Sequence, residues 1–264
     1  MADWEPGWDD IDERPEDLER EARRSRRWRR TLQAAAAFMI TLMLWQVAAL
    51  DVLLYPFRLF VTLAHELGHG VAAIVTGGRF VSLEVMGNGA GLAVTAGGSR
   101  FVVLQAGYLG AALFGGLLLI LANRLRDARP LTALIGVLFG GAAFVLGADV
   151  GTRVIGAATG LVLVALARWG AAWLNTFALN LLAMVVALHA LLDIWGLLGD
   201  LDVMASGAPN DALAMQRLTH IPAAFWGLLW IAASVIWIIF CAYWAFRRPA
   251  RAAQRNHSDD GLAA

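Results

Sequence analysis

Seven apolar stretches constrain this chain more than any other feature in it: residues 33–50, 59–77, 101–121, 131–148, 154–167, 172–198 and 221–246. A helix needs about 20 mostly apolar residues to cross a bilayer. A soluble domain carries about 25% charged residues, whereas this chain carries 16%, gathered at its ends and in short links. The pattern predicts an all-α polytopic membrane protein with about six transmembrane helices. The run 154–167 is short for a full span, and 59–77 is marginal.

The charges divide the chain and orient it. Residues 1–30 form a charged N-terminal tail, with acids first (Asp9, Asp10, Asp12, Glu13, Glu16, Asp17) and arginines last (Arg23, Arg24, Arg26, Arg27, Arg29, Arg30). Arginines abutting a first span mark the cytoplasmic side, so the N-terminus is expected in the cytoplasm. Residues 31–247 make the membrane domain, and 248–264 a polar C-terminal tail. Arg124, Arg126, Arg129, Arg168 and the group Arg247, Arg248, Arg251 and Arg255 also ask for the cytoplasm. Three full crossings before Arg124 would leave it outside. One early segment is therefore expected to be a partial, seventh pass, which buried backbone permits. The net charge is zero and no lysine is present, so nothing points to nucleic acid. The one cysteine, Cys241, excludes an internal disulfide and lies in an apolar run.

Between the second and third stretches the composition changes. Val81 to Val85 and Leu92 to Thr95 are β-prone, and they flank the glycine-rich turn Gly87-Asn88-Gly89-Ala90-Gly91. This reads as a short β-hairpin.

Chemistry concentrates just before it, in His65-Glu66-Leu67-Gly68-His69. Two histidines four residues apart share one helical face, about one turn apart. That spacing suits two imidazoles on one Zn²⁺, with the intervening glutamate as base toward water. Ionisable groups at membrane depth are costly and usually functional. A catalytic zinc site needs a third protein ligand. Asp193 is the most deeply embedded acid apart from Glu66 and is the first choice, with Asp211 and Asp149 as alternatives. His189 lies one turn before Asp193 on the same face, and so suits a supporting partner to the ligands.

These residues resemble the site-2 protease family of intramembrane zinc metalloproteases, in its bacterial peptidase-like branch. The resemblance rests on Phe60 to Gly70, Thr76-Gly77-Gly78-Arg79, the glycine-rich hairpin and Ala106-Gly107-Tyr108-Leu109-Gly110. It resumes at Asn210-Asp211-Ala212, Thr219-His220-Ile221-Pro222, Trp226 and Trp230. It implies zinc held by two histidines and an aspartate, Glu66 as the base, and a hairpin that presents an edge strand to substrate. Gly87, Gly89, Gly91 and Val94 are the hairpin residues expected to meet it. The chain departs from better-known members in having no Leu-Asp-Gly sequence: Asp193 is followed by Ile194. The resemblance implies an integral protein of the bacterial cytoplasmic membrane that hydrolyses peptide bonds in other membrane proteins. Its partners are then the lipid bilayer and a membrane-protein substrate. The rival readings are a non-catalytic scaffold of the same fold and a metal transporter. An intact Glu66 argues against the first, and the lack of an internal repeat against the second.

Overall fold

The computed structural model describes residues 51–86, 89–199 and 210–247 and isolated positions between 18 and 39, without the side chains of 51–56 and 189–199. Helix α1, Asp51–Val75, carries the histidines. It stops where Gly77 takes a φ of +86°, a left-handed turn that suits glycine. Strands β1, Arg79–Val85, and β2, Gly91–Ala96, pair antiparallel in the register Leu83↔Ala93 and Val85↔Gly91. Long helices follow: α2 over Arg100–Arg124, α3 over Arg129–Leu146, α4 over Val150–Trp169 and α5 over Ala172–Gly199. A nine-residue helix α6, Asp211–Thr219, precedes the last long one, α7, Ala223–Phe246. The expected hairpin is therefore present, between the first described helix and the next.

Among the described residues, α2, α3, α4 and α7 are long and apolar enough to cross a membrane. The chain is thus mostly helical with four candidate spans, and α5 adds a shorter apolar stretch, Ala172–Leu188. The first expected segment, 33–50, lies largely outside the described residues. Two boundaries differ from the sequence reading. Helix α1 begins eight residues before the expected 59. Helix α4 is not a short run of 154–167 but a 20-residue helix. Its added first turn is polar, and side chains hold it. Asp149 accepts from the Thr152 amide at 3.0 Å, and Arg153 donates to the Gly147 carbonyl at 2.8 Å. Counting apolar letters misses such a turn, because capping rather than hydropathy makes it.

Helix α2 is central and packs against α1, α5 and α7. Phe60 of α1 stacks on Phe139 of α3 with ring centroids 4.5 Å apart, and Phe114 of α2 leans on both. This aromatic contact anchors α1 about one and a half turns before His65. Helices α3 and α4 close on one another through Gly136, Gly140, Gly156 and Gly160. The outer faces remain apolar, with Leu138, Val145, Leu161, Val162 and Ile236 exposed. Those are faces that lipid would cover.

Candidate metal centre

The four-residue spacing on α1 turns both imidazoles to one side, with their Nε2 atoms 3.1 Å apart. His69 Nδ1 donates to the Val103 carbonyl of α2 at 2.7 Å. A carbonyl only accepts, so Nδ1 carries the ring proton and Nε2 presents a lone pair. Asp211 completes the group: its Oδ2 lies 3.1 Å from His65 Nε2 and 3.2 Å from His69 Nε2. Three donor atoms thus form a nearly equilateral triangle. Zinc bonds of about 2.0–2.1 Å in tetrahedral geometry place ligand atoms about 3.3 Å apart. Lone pairs that converge this closely repel unless a cation or proton stands between them. Donor type and spacing therefore both fit a zinc-like ion.

Asp211 reaches the histidines because α6 starts there. Asn210 caps the helix, its side-chain oxygen accepting from the Leu213 amide at 2.8 Å. Asp211 then occupies the first helical position, where the helix dipole favours a carboxylate. Helix α6 is bolted to α7 in turn. Gln216 accepts from the Ala223 amide at 2.7 Å, and Trp226 donates to Thr219 at 3.1 Å.

Helix α2 supplies the wall. A Cβ on Gly107 would lie 2.4 Å from His65 Nε2 and 2.5 Å from His69 Nε2. Only glycine leaves room for two ring nitrogens and anything they hold. The next residue, Tyr108, meets His65 edge-on at 4.6 Å and stacks on Trp230 at 5.6 Å. No acid-or-histidine search finds Gly107, since its contribution is an absent side chain. Its place in Ala106-Gly107-Tyr108 is the signal that was available.

Glu66 is buried and points toward the hairpin. The Ala93 amide donates to its carboxylate. Gly91 presses so close that a Cβ would lie 2.5 Å from Glu66 Oε1. One turn earlier, Thr62 donates to the Gly89 carbonyl at 2.6 Å. The edge of β2 thus lies along the same helix that carries His65 and His69. A buried carboxylate beside such a donor triangle is suited to move a proton to and from a reacting group.

Asp149 does not join the histidines; it caps α4, accepting from both the amide and the hydroxyl of Thr152. Asp193 and His189 belong to the last turns of α5, whose side chains lie outside the described residues. Gly87 also lies outside them. Gly89 takes a φ of +87° in the turn. Val94 pairs with Ser82. Because Ala93 points its amide away from the ladder, alternation turns that of Val94 into it.

A sequence model of the family described as Peptidase M50B-like matches residues 34–241. No curated protein and no solved structure matches the chain.

Proposed function

The chain belongs to the Peptidase M50B-like family of membrane peptidases, and on that premise we propose that it is a zinc metalloendopeptidase that cuts other membrane proteins within or near their transmembrane segments. The observation that carries the reading is the triangle of His65, His69 and Asp211 with the buried carboxylate of Glu66 beside it. Zinc bound to those three residues supplies Lewis acidity toward a peptide carbonyl and toward water. The chain's own residues do the rest. Glu66 takes a proton from the water that attacks the scissile carbonyl carbon. It returns that proton to the departing nitrogen as the C–N bond breaks. The Ala93 amide and Gly91 hold the carboxylate on the side of the hairpin. A substrate helix hides its peptide bonds in its own hydrogen bonds, so it must unwind locally before it reaches Glu66.

Zinc analysis of the purified chain beside Glu66→Gln, both assayed on candidate membrane proteins, tests this. The variant keeps size and metal ligands but loses the base. It is expected to retain zinc and to cut at least 100-fold more slowly, the low end of what a general base contributes. Undiminished cleavage by Glu66→Gln would remove Glu66 from this role. Stoichiometric zinc with no cleavage by the wild type would favour the scaffold reading.

A further inference from the structure

The hairpin that holds Glu66 is itself held from behind. The outer edge of β1 is not free: Leu83 forms a parallel bridge with Gly147, and its carbonyl accepts from the Ala148 amide at 2.7 Å. Two residues on, the Val85 amide donates to the Thr152 hydroxyl at 2.8 Å. That hydroxyl donates in turn to Asp149 at 2.5 Å, so both of its hydrogen-bonding roles are used. Thr152 is buried. The turn between α3 and α4 thus lies along the hairpin as a third, partial strand.

The register makes this more than support. Leu83 pairs with Ala93, and Val85 pairs with Gly91. Ala93 and Gly91 are the two residues of β2 that touch the Glu66 carboxylate. In an antiparallel ladder, residues of such pairs turn their amides and carbonyls outward on both edges. Each β1 residue anchored on the α3–α4 turn therefore stands directly across from a β2 residue that meets Glu66. We infer that Thr152 is a positioning residue for the general base, acting through Val85 and Gly91, and that the α3–α4 turn fixes the hairpin at its working distance from α1. The inference rests on the peptidase reading above for its kinetic consequence, but not for its structural one.

Thr152→Val removes the hydroxyl and keeps the shape; Thr152→Ser keeps the hydroxyl. In the full-length, zinc-loaded chain, Thr152→Val is expected to lower kcat about tenfold with KM within about twofold, since small displacements of a reacting group cost rate rather than affinity. Zinc content should not change, and Thr152→Ser should restore kcat to near the wild-type value. Hydrogen exchange of the Gly91–Ala96 amides, read without any substrate, should rise about tenfold in Thr152→Val and not in Thr152→Ser. An unchanged kcat and unchanged exchange in a folded Thr152→Val would overturn the proposal. So would a Thr152→Ser variant as impaired as Thr152→Val. Should Thr152→Val fail to fold, Ala148→Pro tests the same anchoring of β1 on the turn, because it removes the amide that donates to the Leu83 carbonyl. Wild-type exchange behaviour with no cleavage at all would leave the anchor standing and remove the peptidase reading instead.

Discussion

Asp211 is where the spacing of single residues decides the chemistry. His65 and His69 are legible in the sequence because their pairing is local, one helical turn of α1. The third donor is not local. It stands 146 residues from His65, in a polar link that hydropathy ranks below the embedded Asp193. What brings it in is the cap at Asn210, which starts α6 with Asp211 facing the histidines. Asp211→Ala is expected to lose most bound zinc, because two protein ligands rarely hold a catalytic ion. Asp149→Ala should keep zinc and lose only a little thermal stability with the cap. Metal analysis and thermal unfolding of the two variants separate them; full zinc in Asp211→Ala would move the third ligand elsewhere. Gly107 carries a sharper expectation. Gly107→Ala leaves all three ligands in place, yet its methyl would occupy space within 2.5 Å of both ring nitrogens. Zinc occupancy should fall sharply, and a fully loaded Gly107→Ala would show that α2 can back away.

At the scale of elements, periodicity and turn chemistry recovered the hairpin and most helices, because both signals are written in neighbouring residues. The contacts between elements were not legible. Nothing in Val81 to Val85 announces that its outer edge meets Gly147 and Thr152. That pairing depends on how α3 and α4 fold back together. Their closeness is set by backbone against backbone: a Cβ on Gly160 would lie 2.5 Å from the Gly136 carbonyl and 2.7 Å from the Gly140 Cα. Gly160→Ala must therefore push the helices apart, and the cost expected for such overpacking is about 1–3 kcal/mol. Thermal unfolding in detergent reads it. Cleavage should fall along with stability, since the turn that these helices share abuts the hairpin. A variant as stable as the wild type would show that the pair slides without strain.

For the whole molecule, the group of His65, His69 and Asp211 draws its donors from α1 and from α6, which is bolted to α7, and α2 packs against all three of these helices. An ion that binds only when α1 and α6 are both docked stabilises the docked state by mass action, by about 2.7 kcal/mol at a hundred times its dissociation constant. Chelation is thus expected to lower the unfolding midpoint of the wild type and to leave Asp211→Ala unmoved. Equal shifts in both would place the stabilising ion elsewhere. The separation of His65 and Asp211 also has a consequence in time. A ribosome adding roughly 5–20 residues per second needs about 7 to 30 seconds to cover the 146 positions between them. Throughout that interval the growing chain is delivering most of its apolar helices to the bilayer. The donor triangle does not exist until they have been made, so any chemistry that it supports begins only after the chain's own apolar segments are in place.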